Sequence, residues 1–445
     1  MEYLKLLLFV HLIAGAICHQ MTGFLSHKQI SIYGFYYIML TLMFIGTIIS
    51  PNYMSLYTRP GFENFQIGFL IHSLTMSIIF ALCFTLMKGN KRKKIQFNSR
   101  PIIVSGIKTE RYIKYLIFIS ISIGISQLIL LPKVPLFTMI SGGSGQDLAL
   151  IREESFKLNE SPIVYLWHLN RQVLSPALVL ILYIRFYRHK TKNCRNLFFA
   201  ILSFSVLNNA ISSALAPVAL IFLMLAILHY GMSKNVKLAY IVVIVFSMLL
   251  FPIFSDYMYS DMTFSQSLIQ TILKTSNRFG FETADRTLSY FDLYNNSSQY
   301  LGGRTNALAR LFTGLEPFNV QNHVFLYRLR AGSVPDHLLY GSANAHFIGY
   351  MNADFGLWGV FWSSVLVGST LAFFDAIYIT LRKNEIVISL YIITVTLFWK
   401  LMGTQPTTIL FSHGALLMLL WAIYASKTIK VREVASSRNT LPNRV

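Results

Sequence analysis

Apolar runs of 17 or more residues recur along the chain, separated by short polar breaks. They fall at about 3–22, 31–50, 66–87, 112–131, 163–184, 196–212, 214–230, 238–254, 357–380, 386–403 and 407–426. A helix needs about 20 apolar residues to cross a bilayer, and lipid offers backbone polar groups no partner, so runs of this length predict spanning α-helices. The pattern predicts an all-α polytopic integral membrane protein with about eleven transmembrane helices. Residues 196–230 are ambiguous. Asn208-Asn209-Ala-Ile-Ser-Ser213 and Pro217 interrupt them, which reads as two short helices or as one helix and a re-entrant piece.

One stretch breaks the pattern. Residues 255–356 mix polar and apolar positions and hold seven Lys/Arg and eight Asp/Glu, which predicts a large, partly helical loop outside the membrane. The organisation is then helices one to eight with short loops over 1–254, the large loop over 255–356, helices nine to eleven over 357–426, and a basic tail over 427–445. Met1-Glu-Tyr-Leu-Lys5 leads straight into the first run and further runs follow at once, so this run reads as a retained helix rather than a cleaved signal.

Composition agrees: of 445 residues 54% are apolar and 13% charged, against about 25% charged in soluble domains. The net charge of +20 suggests nucleic acid until its placement is read. Lys88, Lys91, Arg92, Lys93, Lys94, Arg100, Lys108 and Arg111 share one connector, and Arg188, Lys190, Lys192 and Arg195 another. Lys234 and Lys237, Arg382 and Lys383, and the tail residues Lys427, Lys430, Arg432, Arg438 and Arg444 follow later spans. With eleven spans all of these lie on one side, the positive-inside pattern of a cytoplasmic face, so the N-terminus is outside, the C-terminus is cytoplasmic, and no nucleic-acid partner is expected. Cys18, Cys83 and Cys194 are too scattered for a disulfide frame or a metal site. The chain holds no phosphate-binding glycine loop, dinucleotide fingerprint or nucleophile elbow, and no cofactor is expected.

Candidate chemistry starts with Arg171, about two turns inside span five in Tyr165-Leu-Trp-His168-Leu-Asn-Arg171-Gln-Val-Leu-Ser-Pro176. A cation inside a span is costly and usually faces a protein interior or an aqueous cavity. His168 lies three residues earlier on the same face, so the two read either as an anion-binding pair or as a snorkelling arginine beside a packing histidine. Lys400, near the outer end of span ten, adds a cation on the same side. Arg152 follows a glycine-rich turn and reads either as a phosphate ligand or as the ion-pair partner of Glu153, Glu154 or Asp147. The large loop carries Arg278, Arg286, Arg304, Arg310, Arg328 and Arg330, with His323, His337 and His346. Most such arginines are surface charges, but six Arg to one Lys favours the bidentate phosphate recognition that lysine does not provide. His346, about ten residues before span nine, suits general acid or base work or is an interfacial residue with no role, and Asp354 could orient it or bind substrate.

Taken together, the chain resembles the bacterial O-antigen (Wzy-type) oligosaccharide repeat-unit polymerases and, more distantly, the O-antigen ligases. The resemblance covers the architecture. Two stretches carry it locally: Val134-Pro-Leu-Phe137 with the glycine-rich turn and Arg152, and Ala345-His346-Phe-Ile-Gly-Tyr-Met-Asn-Ala-Asp354-Phe-Gly356-Leu-Trp-Gly359. It implies an inner-membrane glycosyltransferase whose substrates are undecaprenyl-pyrophosphate-linked oligosaccharides, working with a chain-length regulator protein and needing neither nucleotide sugar nor metal. On that basis Arg152, His168, Arg171 and one or two of Arg278, Arg286, Arg304 and Arg310 are expected to hold the pyrophosphate, with His346 as base and Asp354 supporting it. Two departures stand out. The family's Gly-x-Arg segment of the middle spans is replaced by Ile211-Ser-Ser-Ala-Leu-Ala-Pro217, with Arg171 as its substitute. Ligases follow their loop histidine closely with asparagine, whereas Phe347 follows His346, which favours a polymerase. A ligase, another multi-span glycosyltransferase and a lipid-linked glycan flippase or transporter are the alternatives.

Overall fold

A computed structural model describes residues 2–22, 31–49, 57–88, 107–131, 133–140, 151, 162–211, 215–233, 263–276, 282–329 and 344–428. Among these the chain is helical, without strands. The first part comprises α1 (Glu2–Thr22), α2 (Ile32–Ile49), α3 (Arg59–Lys88), α4 (Ile107–Leu130) and the short α5 (Pro135–Ile140). Then come α6 (Pro162–Leu169), α7 (Ser175–His189), α8 (Lys192–Ala210) and α9 (Leu215–Ser233). The polar segment contributes α10 (Phe264–Ser276), α11 (Glu282–Leu293), α12 (Ala307–Thr313) and α13 (Val320–Leu329). The chain then continues through α14 (Phe347–Thr380), α15 (Glu385–Phe398) and α16 (Ala415–Thr428).

Helices stand at ten of the eleven expected spans; the eighth, 238–254, lies outside the described residues. Among the described residues, five helices can cross a membrane by length and composition: Lys5–Thr22, Arg59–Met87, Glu110–Leu130, Phe347–Thr380 and Glu385–Met402. Ile32–Ile45, Pro217–Ser233 and Ala415–Thr428 are shorter apolar helices. The described residues of 196–230 form two helices, α8 and α9, while 212–214 lie outside the described residues. Leu6, Phe9, Ile13 and Ile17 on α1 are all exposed at helical spacing, a surface suited to lipid rather than to water.

The most extensive helix contact among the described residues is α14 against α3. Gly368 makes it possible: a Cβ there would come within 2.8 Å of the Met76 carbonyl oxygen, so only glycine lets the backbones meet this closely. Helical backbone runs from Phe347 to Thr380, but Gly356 divides it, so the span beyond the break begins at residue 357, where the sequence places the loop boundary, and a separate helical piece precedes it. Gly356 makes the break with φ 62° and ψ −153°, a conformation costly for any side chain. The nine residues before that break, rich in small and apolar types, form a separate helical tip in which all but Phe355 are buried.

That segment is docked. The Asp285 carboxylate of α11 is ion-paired with Arg328 and accepts the Tyr57 hydroxyl. Burial, reinforced by that carboxylate, holds the Tyr57 phenol above its ordinary range. Asp292 accepts from the Thr58 amide at 2.9 Å and from the Tyr327 hydroxyl at 2.5 Å. These acids tie α11 and α13 to the start of α3.

Asp375, buried deep in α14, has a structural role. Its carboxylate accepts the Ser31 hydroxyl (2.7 Å), the Ile32 and Tyr33 amides (3.0 and 3.3 Å) and the Tyr391 hydroxyl (3.0 Å). The first amides of a helix lack internal partners and carry a partial positive charge, so this anion caps α2 from another helix.

Candidate active site

Pro176 has no amide proton, so the ordinary helical bond to the carbonyl four residues earlier cannot form. The helix adapts by widening into a π-turn over Asn170–Leu174, with the Ser175 amide bonding the Asn170 carbonyl. Arg171 sits on this turn. A second π-turn, Thr408–Ser412, follows Pro406 and closes with the His413 amide on the Thr408 carbonyl at 2.8 Å. Between α15 and that turn runs a 3₁₀ turn, Trp399–Met402, which carries Lys400. Irregular backbone inside a membrane protein persists where protein or a water-filled cavity satisfies it, and here it borders two cavities.

The larger, of about 480 Å³, is lined by Lys400 and His413, by Trp399, Thr404 and Thr408 of the connector, by Met39, Met43 and Leu220, and by Thr283, Gln321 and Asn344 of the polar segment. The smaller, of about 130 Å³, is lined by Arg171, Gln172, Asn209, Thr396 and Lys400 among apolar neighbours. Leu220 and Lys400 belong to both walls. Arg171 points a guanidinium N–H at Nδ1 of His168 over 3.5 Å, which leaves the ring proton of neutral His168 on Nε2. Arg171, Lys400, His168 and His413 lie within one another's electrostatic reach. Among the described residues no carboxylate forms an ion pair with Arg171 or Lys400. Two partly buried cations and two histidines stand at adjoining cavities with no carboxylate paired to either cation among the described residues, and what such a site lacks is an anion.

The remaining expected site residues are placed elsewhere. Arg152 and Arg278 lie outside the described residues, as do Arg330 and His337. Arg286 is paired with Glu282 one turn away, although Thr283 on the same helix lines the larger cavity. Arg304 donates from Nε to the Glu316 carbonyl at 3.1 Å and covers the Phe318 ring. Arg310 lies on α12, and neither Arg304 nor Arg310 lines either cavity. Of the described loop arginines, Arg286, Arg304, Arg310 and Arg328, none lines a cavity with Arg171.

His346 is fully buried and caps α14, where its Nδ1 accepts the Ile348 amide. That single bond sets every proton in the network. Neutral His346 carries its proton on Nε2 and donates it to the Tyr36 oxygen at 2.7 Å. Tyr36 donates to His72 Nε2 at 2.9 Å, His72 donates from Nδ1 to Ser364 at 2.8 Å, and Ser364 donates to the Val360 carbonyl at 2.6 Å. Both ring nitrogens of His346 are thus engaged in a closed network between α2, α3 and α14, which makes it a lock for the helix tip rather than an accessible base. Asp354 is not a supporter of His346. Its carboxylate accepts the Thr305 hydroxyl and amide, and Thr305 in turn accepts the Gln405 amide through its carbonyl (3.0 Å) and its hydroxyl oxygen (3.1 Å). Asp354 thereby fixes the polar segment to the connector that carries the site.

Tyr36→Phe tests the lock. It strands the His346 donor and the His72 acceptor, each at a cost of about 1–3 kcal/mol for a buried group. The purified variant is expected to melt at lower temperature yet retain full activity below its transition. Loss of activity in a fully folded variant would instead give this network a chemical role.

Sequence reasoning missed His413, Gln321, Asn344 and Thr283. His413 was detectable as a histidine inside an apolar run, but its approach to Arg171 is set by tertiary packing. No protein-family model, curated protein or solved structure matches the chain. The fold and site define it as a helical membrane protein with a buried, cation-lined cavity beneath a docked polar segment.

Proposed function

We propose that the protein is a membrane glycosyltransferase that polymerises polyprenyl-pyrophosphate-linked oligosaccharide units, such as those of O-antigen, at the outer face of a bacterial inner membrane. The supporting observation is the meeting of Arg171, Lys400 and His413, with His168 behind Arg171, at cavities lined on one side by Met39, Met43 and Leu220 and on another by hydroxyl and amide side chains. Cations suit a pyrophosphate, an apolar wall suits the isoprenoid next to it, and amides, hydroxyls and Trp399 suit sugar. In the reaction the C1–oxygen bond between the growing glycan and its pyrophosphate breaks, and the bonding electrons leave with the polyprenyl pyrophosphate. An acceptor sugar hydroxyl forms the new glycosidic bond and gives up its proton. Arg171 and Lys400 stabilise the charge that develops on the leaving group. His413, which borders the cavity where His346 does not, takes the proton.

Reconstitution tests this. Purified protein in lipid, supplied with polyprenyl-pyrophosphoryl oligosaccharide, should release polyprenyl pyrophosphate and form products longer by whole repeat units, with no nucleotide sugar added. Intact substrate in the presence of folded protein would rule the reaction out.

A further inference from the structure

We infer that α12 is a membrane anchor: its apolar side chains dip into the leaflet on the side of the polar segment, and their partner is phospholipid. The inference rests on the membrane class of the protein and not on the proposed reaction.

The helix is short, Ala307-Leu-Ala-Arg-Leu-Phe-Thr313, and its most apolar residues are its most exposed. Leu311 is 78% and Phe312 89% exposed, and Leu308 and Leu315 beside them are also exposed. A contiguous apolar surface of this kind in a soluble loop calls for a partner. The turn is also rigid. Asn306 caps its start by accepting from the Leu308 and Ala309 amides, and Gly314 ends it at φ 63°. Asp354, through Thr305, pins the residues just before it to α14.

Its position identifies the partner. A Cβ on Gly303 would sit 2.8 Å from the Ala309 side chain and 3.0 Å from the Phe355 ring, so the start of α12 lies against Phe355. Just beyond the break at Gly356, α14 carries Trp358, Trp362 and Leu366 at steps of four residues, all exposed, and Phe355 immediately before the break is exposed as well. That is the lipid-facing side of a helix long enough to cross a membrane. α14 has 34 residues. The break at Gly356 turns the chain back, since a Cβ on Gly359 would collide with the Met351 carbonyl oxygen, so only residues 357–380 form the span. At about 1.5 Å per residue they match the roughly 30 Å hydrocarbon layer with little to spare, which puts the break at its edge. The aromatic residues Phe355, Trp358 and Trp362 mark the boundary where such rings collect in membrane proteins. Leu311 and Phe312 follow Ala309 in the same short helix, whose start lies beside Phe355, so they stand close to this apolar surface. The anchor also has a consequence for the cavity: through Thr305 and Gln405 it is linked to the connector that carries Lys400 and His413, so the bilayer surface helps to hold the polar segment over the site.

The test places an environment-sensitive fluorophore at F312C, and at E316C as a polar control, in protein whose Cys18, Cys83 and Cys194 are replaced by alanine. Both proteins are reconstituted in phosphatidylcholine–phosphatidylglycerol nanodiscs. At position 312 the emission should shift to the blue, be quenched by lipid carrying a nitroxide high on its acyl chain, and lose quenching by aqueous iodide; position 316 should do the reverse. Iodide quenching at 312 equal to that at 316 would overturn the inference by leaving the helix in water. Protection at 312 from both quenchers would overturn it by revealing a protein partner, either a second copy or another chain. A photo-crosslinking benzoylphenylalanine at position 312, in protein with its own cysteines, gives an independent answer if the cysteine-free protein does not fold. Adducts of phospholipid mass support the anchor, and adducts only to protein or only to water overturn it.

Discussion

Lys400→Met should abolish glycan elongation and leave the protein as stable as before, or more stable. The methionine nearly keeps the volume and removes only the charge. Withdrawing one preorganised charge from a transition state typically costs about 10²–10³-fold in rate. The stability effect has the opposite sign. Lys400 is held near Arg171, and among the described residues no carboxylate pairs with it, so the folded state already bears an unrewarded desolvation cost that the substitution relieves. Arg171→Met should behave alike, and the double variant should be little worse than either single one, because both residues act on one anion. Turnover of reconstituted protein together with its thermal melt checks this. An active Lys400→Met protein would remove the pyrophosphate site from these cavities.

Asp375→Ala should have the opposite signature, a large loss of stability with no specific loss of chemistry. Four donors converge on this carboxylate, two of them N-terminal amides of α2. Leaving several buried donors unsatisfied, at about 1–3 kcal/mol each, should cost upwards of about 4 kcal/mol, enough to deplete the protein from the membrane. Asp375→Asn should be milder, since its one amide oxygen still accepts two of the four. Abundance in membranes, measured by immunoblot against wild type, reports the difference. Normal abundance of the alanine variant would mean that α2 is held by other contacts.

Much of the helical layout was legible because lipid permits so few solutions. Lipid leaves an apolar run of spanning length little choice but a helix, and the described parts of the doubtful stretch 196–230 are the helices α8 and α9. The helical piece before Gly356 was not legible. Residues 347–355 look like the end of a polar loop, because His346, Asn352 and Asp354 interrupt them and nothing local reveals that folded protein buries these groups. The same blindness affected function. Arg171 and Lys400 stand out in a sequence since a cation within a span is expensive, and the structure brings them to adjoining walls. His346 and Asp354 looked equally chemical, yet one caps a helix and the other clamps a loop. A buried structural polar residue and a catalytic one share a composition and differ only in partners. For Asp375 those partners are as much as 344 residues away. The arginines of the polar segment were weighed by number, whereas Arg286, Arg304 and Arg328 each find local partners.

The gel ladder of surface glycan in the native host reads the proposed activity most directly. Deleting the gene should collapse the ladder to a single band of core plus one repeat unit, and wild-type protein but not Lys400→Met should restore it. A glycan absent altogether from its lipid anchor would instead assign the protein to ligation or flipping, and an unchanged ladder would contradict a role in glycan assembly.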